Sequence, residues 1–145
     1  MITFRPAQRE DVAALALISQ NNCADSWSES AFLPELDNGT VVLCAQKHNK
    51  IVAFAVVSVS FDEGYLHLIC VDAEYRRQGI AEALLNRAEQ MAYLKGVRKV
   101  VLDVRVSNSA AISLYQKSGY ATLCTRRGFY SHPVEDAYTM VKEFN

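Results

Sequence analysis

The stretch VDAEYRRQGIAEALLNRAEQMA, residues 71–92, decides the fold because it leads from an apolar strand directly into an amphipathic helix. A helix usually begins at a Ser, Thr, Asp or Asn whose side chain caps the first backbone N–H groups. This junction has Arg76, Arg77, Gln78 and Gly79 instead. The unpaired N–H groups and the positive end of the helix dipole together favour a bound phosphate. A solvated basic turn, in which Gly79 only permits the bend, is the alternative interpretation.

The rest of the chain has the patterning of a mixed α/β protein. Alternating and apolar runs predict seven strands, and helical spacings predict four helices, in the order βααβββαβαββ. This order places a single mixed, mostly antiparallel sheet of six to seven strands between about four helices. The chain has 145 residues, 50% of them hydrophobic, and neither a linker nor a repeat, so we expect one domain, residues 1–145.

The charge balance argues against several kinds of partner. Fifteen Lys and Arg stand against sixteen Asp and Glu, so the net charge of −1 gives no overall field for nucleic acid or an anionic membrane. No signal peptide and no apolar run of membrane-spanning length is visible, which predicts a cytoplasmic protein. We expect a monomer or a homodimer that binds neither nucleic acid directly nor a membrane.

The four cysteines give no sign of a disulfide framework or a metal site. Cys23, Cys44, Cys70 and Cys124 lie far apart without C-x-x-C spacing, and three of them lie within apolar runs. Cysteines in apolar runs are typical of buried free thiols. We therefore predict four free thiols and no bound metal.

Residues 76–81 also carry a more specific pattern. The sequence RRQGIA fits R/Q-x-x-G-x-G/A, and in this respect the chain resembles the GCN5-related N-acetyltransferase (GNAT) superfamily. FRPAQREDVAAL (4–15) is similar to that superfamily's opening strand and helix, and VRVSNSAAISLYQKSGY (104–120) to its N-x-x-A-x-x-L-Y-x-x-x-G-F segment. SWSESAF (26–32), residues 103–120 and RRGFYSHPVEDAYTM (126–140) resemble the bacterial ribosomal-protein-alanine N-acetyltransferases. The resemblance implies the GNAT fold, acetyl-coenzyme A (acetyl-CoA) as donor and an amine as acceptor.

The resemblance also assigns residues to the binding of acetyl-CoA. The pyrophosphate would be held by the backbone amides of Gln78, Gly79, Ile80 and Ala81, with Arg76 and Arg77 beside them. The pantetheine arm would lie along the backbone of Ile69, Cys70 and Val71, with the Val71 amide facing the developing oxyanion. Asn108 would contact the same arm. From the residues alone Asn108 is a helix cap, and the two roles are compatible.

Acetyl transfer from a thioester needs a proton donor for the sulfur and a base for the amine. The resemblance gives the first role to Tyr115, although a core aromatic residue on a helix face is the alternative. For the base, Asp103 occupies the position of a glutamate in the resembling enzymes and is one methylene shorter. His67 is the second candidate, and strand alternation predicts that it shares one face with Ile69 and Val71. A structural or surface histidine is the alternative for His67.

The acceptor side is the part that the sequence defines least. Trp27, Phe32, Tyr130 and Glu135 fall in segments that flank a groove for an extended protein N-terminus in the resembling enzymes. Packing of the second helix by Trp27 and Phe32 is the alternative. Three hypotheses follow: an acetyltransferase of protein N-termini, an acetyltransferase of a small amine such as a polyamine, amino sugar or amino acid, and a non-catalytic acetyl-CoA-binding module.

Overall fold

The computed structural model describes all residues, 1–145, and its elements follow the predicted order. The seven strands are β1 (Thr3–Pro6), β2 (Val41–Lys47), β3 (Lys50–Ser60), β4 (Glu63–Val71), β5 (Lys99–Arg105), β6 (Ala121–Ser131) and β7 (Val134–Glu143). The four helices are α1 (Val12–Asn22), α2 (Glu29–Asp37), α3 (Ile80–Leu94) and α4 (Ser109–Lys117). Single 3-10 turns, Arg9–Asp11 and Ala73–Tyr75, precede α1 and α3.

The seven strands form one sheet in the order β1-β2-β3-β4-β5-β7-β6. Neighbouring strands are antiparallel except β4 and β5, which are parallel. The parallel pairing covers only three residue pairs, from Glu63 with Lys99 to Tyr65 with Val101. Beyond these pairs β4 and β5 continue without pairing to each other, which opens a cleft within the sheet. The predicted fold class, a single mixed sheet with four helices, is confirmed.

Helices cover both faces of the sheet and form two hydrophobic cores. The larger core has 20 buried residues and includes Leu84, Leu85 and Ala88 of α3 together with Tyr115 of α4. The smaller core has 11 buried residues and includes Leu15 of α1 and Phe32 of α2. Apolar area removed from water on both faces holds the sheet in place and fixes the position of the cleft. No helix has the length and apolar character needed to cross a membrane.

A β-bulge in β4 changes the direction of one candidate side chain. β3 pairs Val57 with Leu66 and Val56 with Leu68, so His67 has no partner in this ladder. The extra residue reverses the alternation of side chains beyond it. The His67 ring consequently contacts Trp27 and Tyr65, whereas Ile69 and Val71 pack against the larger core. The prediction that His67 shares a face with Ile69 and Val71 is wrong for this reason.

The prediction of four free thiols is wrong for two cysteines, because Cys23 and Cys70 form a disulfide. Cys23 follows the last residue of α1, and Cys70 lies on β4, which α1 contacts. Their Cα atoms are 6.5 Å apart, a distance that a disulfide spans. A sequence separation of 47 carries no spacing signal, so only the packing of α1 on the sheet reveals the pair. Cys44 is a buried free thiol as predicted, whereas Cys124 on β6 is exposed.

Candidate active site

The divergence of β4 from β5 leaves a cleft with a cavity volume of about 610 Å³. Its walls come from the segment after α1, the unpaired edge of β4, the end of β5, the start of α4, and β6. The polar and aromatic residues that line it include Asp25, Trp27, Tyr65, His67, Asp103, Arg105, Asn108, Tyr115, Phe129 and Tyr130. A second cavity of about 290 Å³, at the start of α3, shares the wall residues Val71, Arg76 and Ala81 with the cleft, so the two adjoin.

The start of α3 has the geometry expected of a phosphate site. The first intrahelical hydrogen bond runs from the Ala83 N–H to the Gly79 carbonyl at 3.1 Å, and no side chain caps the amides that precede it. Arg77 and Gly79 both have left-handed backbone conformations, with φ of 63° and 75°. A Cβ atom on Gly79 would meet no protein atom within 4 Å, so this backbone faces open space. These amides fit the pyrophosphate of a nucleotide such as coenzyme A.

The two arginines of this junction have different surroundings. The Arg76 guanidinium donates from Nε to the Val71 carbonyl at 3.2 Å and from Nη2 to the Asn22 carbonyl at 3.4 Å. Arg76 thus ties the junction to the ends of β4 and α1. Arg77 lines the second cavity beside Gly79, where its charge is available to an anion. Gln78 lines neither cavity.

The edge of β4 provides a second set of backbone groups. Ile69, Cys70 and Val71 pair with β3 on one side and border the cleft on the other, where β5 no longer pairs with them. Across the cleft, Asn108 lies at the start of α4, and its Oδ1 accepts a hydrogen bond from the Ala111 N–H at 3.2 Å. The predicted cap is confirmed. The Asn108 side chain also lines the cleft, so capping and a cofactor contact are compatible in space.

Tyr115 on α4 combines burial with access to the cleft. The residue is 7% exposed, and its ring packs edge-on against that of Tyr120 with centroids 5.8 Å apart. Burial raises the pKa of the Tyr115 hydroxyl well above its ordinary value, so the phenol keeps its proton at neutral pH. A protonated hydroxyl at the cleft can donate a proton to a leaving group.

The Asp103 carboxylate on β5 is held from two sides. It accepts hydrogen bonds from the Tyr65 hydroxyl and from the Thr139 hydroxyl, each at 2.5 Å, and Arg126 Nε lies 3.4 Å away. The Asp103 side chain is 7% exposed, and both Asp103 and Tyr65 line the cleft. Burial, followed by the hydrogen bond to Asp103, raises the pKa of Tyr65, which keeps that hydroxyl protonated. Sequence reasoning missed Tyr65, because nothing in GYLHLICV marks which strand lies opposite Asp103.

His67 lies beside this pair. Its Nε2 is 2.8 Å from Ser58 Oγ, and its ring centroid is 4.8 Å from that of Tyr65 and 5.4 Å from that of Trp27. Desolvation in the cleft lowers the pKa of His67 below its ordinary value, with a smaller opposing effect from the Glu35 charge. The imidazole is therefore neutral at pH 7 and chemically able to accept a proton.

The four predicted acceptor residues do not all reach the cleft. Trp27 and Tyr130 line it, from the segment after α1 and from β6. Phe32 is fully buried outside the cavity and packs edge-on against Trp27 with centroids 5.3 Å apart, so its part in the site is support. Glu135 does not line the cavity either, because its carboxylate accepts from Arg105 Nη1 at 3.1 Å and from the Ser107 N–H at 2.8 Å.

Three further residues belong to this end of the cleft, and the sequence did not point to two of them, Asp25 and Arg105. Asp25 and Arg105 line the wall as an ion pair, and Phe129 packs edge-on against Tyr130 with centroids 5.0 Å apart. Asp25 and Arg105 are 80 positions apart, so no local motif could have found the pair. No three His, Cys, Asp or Glu side chains come together as a metal-binding group.

Comparison with known proteins agrees with this geometry. The acetyltransferase (GNAT) family matches residues 10–120. The [ribosomal protein bS18]-alanine N-acetyltransferase of Escherichia coli K12 is 35% identical over 130 residues, covering 90% of this chain and 88% of that protein. An N-alpha-acetyltransferase of Saccharolobus solfataricus is 27% identical, with 97% and 92% covered. The crystal structure of the ribosomal-protein-S18-alanine N-acetyltransferase from Escherichia coli superimposes with a TM-score of 0.92 at 33% identity, covering 100% and 95%. The chain therefore belongs to the acetyltransferase (GNAT) family of N-acetyltransferases.

Proposed function

We propose that this enzyme transfers the acetyl group of acetyl-CoA to the α-amine of a protein N-terminus, with an alanine-starting ribosomal protein as the substrate class. The observation that carries the proposal is the pair of adjoining cavities. One lies at the uncapped start of α3, and the other is lined by Tyr115 and by the Tyr65 and Asp103 pair. Similarity to ribosomal-protein-alanine enzymes over most of the chain supports the choice of acceptor.

The donor side of the cleft would bind and orient acetyl-CoA. The amides at the start of α3 and the Arg77 charge suit the pyrophosphate, and the cleft edge of Ile69, Cys70 and Val71 suits the amides of the pantetheine arm. Acetyl-CoA supplies an activated acetyl group as a thioester. The Val71 amide is the candidate donor to the oxygen on which negative charge develops.

We assign the proton of the amine to Tyr65 and Asp103 acting together. The Tyr65 oxygen accepts a proton from the amine, directly or through one water. At the same time the Tyr65 hydroxyl proton passes to the Asp103 carboxylate, whose Oδ2 lies 2.5 Å from the Tyr65 oxygen. The two transfers leave Tyr65 neutral and Asp103 protonated. Thr139 and Arg126 hold the same carboxylate in place. His67, neutral and beside Tyr65, is the alternative proton acceptor.

Tyr115 is assigned to the departing sulfur. Its raised pKa keeps a proton available, and transfer of that proton makes coenzyme A leave as a thiol rather than a thiolate. Aromatic and polar walls at the opposite end, from Trp27 to Tyr130, would contact the first residues of the acceptor chain. We place the enzyme in the cytoplasm, where ribosomal proteins are made, as a monomer or a homodimer.

The test compares acceptors directly. We expect a decapeptide with the N-terminal sequence of ribosomal protein bS18 to be acetylated on its α-amine, as located by mass spectrometry of the product. Spermidine, glucosamine and free alanine should be poor acceptors at the same concentration. The Tyr115→Phe variant keeps the ring and should lower turnover on the order of 10²-fold, which separates enzymatic from spontaneous acetylation. Preferred acetylation of a small amine would replace the proposed acceptor, and acetyl-CoA binding without turnover would indicate a binding module.

A further inference from the structure

Arg105 at the end of β5 is a buried arginine whose hydrogen-bonding capacity is filled. Its side chain is 8% exposed. Nε and Nη2 donate to the two carboxylate oxygens of Asp25 at 3.0 and 2.9 Å, and Nη2 also donates to the His132 carbonyl at 3.2 Å. Nη1 donates to the Pro133 carbonyl at 3.0 Å and to Glu135 at 3.1 Å. These five bonds use all five N–H groups of a guanidinium.

The acceptors of these bonds lie on two separate segments. Asp25 belongs to residues 23–28, here called the acceptor loop, which joins α1 to α2. His132, Pro133 and Glu135 belong to residues 129–135, here called the acceptor hairpin, which joins β6 to β7. Both segments line the cleft, the loop through Asp25 and Trp27 and the hairpin through Phe129 and Tyr130. Arg105 is therefore bonded to both walls of the acceptor end at once.

Arg105 also fixes the orientation of a cleft side chain. Its guanidinium carbon lies 4.2 Å from the centroid of the Tyr130 ring, a cation–π contact. The Tyr130 hydroxyl donates to the Asp103 carbonyl at 3.2 Å, so the ring is held at both ends. The network spans the acceptor end of the cleft, and none of its bonds reaches the start of α3 or Arg77.

We propose that Arg105 is a positioning residue. It sets the distance between the acceptor loop and the acceptor hairpin and thereby determines the affinity for the acceptor, with no part in acetyl-CoA binding. The proposal deepens the proposed function, since it concerns the same cleft. A lysine cannot replace Arg105, because an ammonium has three donors and no planar fork, so at least two of the five bonds must be lost. The two walls should then move apart or fluctuate.

The variants are Arg105→Lys, Arg105→Met and Asp25→Asn. We expect Arg105→Lys to raise the KM for the acceptor roughly 10-fold and Arg105→Met to raise it more, since charged hydrogen bonds are lost. The KM for acetyl-CoA should stay unchanged, and kcat should change less than 3-fold. Hydrogen–deuterium exchange should become faster in residues 23–28 and 129–135 of both Arg105 variants. Asp25→Asn should loosen only residues 23–28, with a smaller rise in acceptor KM.

The matched control is Arg9→Met, which removes an exposed ion pair with Asp37; Arg9 precedes the start of α1 whereas Asp25 follows its end, so this variant should alter none of these quantities. An unchanged acceptor KM, or an equal rise in the KM for acetyl-CoA, overturns the proposal. If the Arg105 variants do not fold, the half-exposed Asp25 carries the test, and an unchanged acceptor KM for Asp25→Asn overturns it. If the enzyme acetylates a small amine instead of the peptide, only the proposed function is overturned. The role of Arg105 is then tested by comparing the KM for that amine with the KM for acetyl-CoA.

Discussion

In the proposed mechanism Tyr65 extends the reach of Asp103, which is one methylene shorter than the glutamate that the family resemblance implies at this position. The carboxylate is nearly buried and already accepts two short hydrogen bonds. The Tyr65 hydroxyl donates to that carboxylate, and both residues line the cleft. In the proposed mechanism a substrate amine meets a phenol oxygen backed by a carboxylate, which would recover the reach lost with the methylene.

This arrangement predicts that a second substitution restores the activity that a first substitution removes. Tyr65→Phe keeps the ring contact with His67 and removes the hydroxyl, so turnover should fall at least 10²-fold. Adding Asp103→Glu in the Tyr65→Phe background should restore much of that activity, because the longer carboxylate reaches the amine itself. Steady-state rates of the two single variants and the double variant, measured as pH profiles, check the prediction.

The same series decides the role of His67. If His67 is the base, His67→Gln abolishes the acidic limb of the rate profile and Tyr65→Phe changes little. Such a limb would be centred below about pH 6.5, because desolvation lowers the pKa of this imidazole. Full activity in both Tyr65→Phe and Asp103→Asn would exclude the pair as the proton acceptor.

The residues that sequence analysis found and missed differ in how their partners are arranged along the chain. Asp103, Asn108 and Tyr115 lie within 13 consecutive residues, and one strand and one helix bring them to the cleft. Tyr65 and Asp25 contact partners that lie 38 and 80 positions away along the chain, and only the crossovers of the folded sheet bring these residues together. Local patterns carry no record of those crossovers, so these two contacts could be read only from the fold.

Among the helices and strands, the start of α3 is the feature that the sequence predicted in most detail. The missing cap predicted free amides, and the helix begins at Ile80 without a side-chain cap. The bulge at His67 was not predictable in the same way, because it depends on how β3 pairs with β4. A run of apolar residues such as LHLICV fits either register, and the cores on both faces select one.

The start of α3 can be tested with a matched pair of glycines. Gly79 and Gly39 have φ of 75° and 74°, and neither would bring a Cβ atom within 4 Å of the protein. Valine at either position should cost a similar 1–2 kcal/mol or so of folding free energy, because both backbones are left-handed. Only Gly79→Val should also weaken acetyl-CoA binding, by roughly 10-fold or more, because its side chain fills the phosphate site.

Urea unfolding and calorimetric titration with acetyl-CoA separate these two effects. Equal affinities of Gly79→Val and Gly39→Val for acetyl-CoA would remove the start of α3 from the cofactor site. Equal losses of stability together with unequal affinities are the expected result.

At the scale of the whole molecule, the sheet separates two cores, and a covalent link lies within the smaller one. The Cys23–Cys70 disulfide attaches the end of α1 to β4, beside the cleft. The acceptor loop is therefore restrained at two points in its first half, at Cys23 by the disulfide and at Asp25 by Arg105. The length and composition indicated that the chain can bury a sizeable core, but they carried no sign of this link, which needs α1 packed on the sheet.

Reduction of that link should lower the stability of the whole domain. Closing a loop of 47 residues restricts the unfolded chain, and such a disulfide contributes about 2–4 kcal/mol to the free energy of unfolding. Urea unfolding of the wild type with and without dithiothreitol should show that difference. The double variant Cys23→Ser and Cys70→Ser should unfold at one urea concentration under both conditions. The Cys124→Ser variant removes only an exposed thiol and should keep the full sensitivity to dithiothreitol. A wild type whose unfolding free energy does not change on reduction, although mass spectrometry finds both thiols free, would contradict a stabilising role for this disulfide.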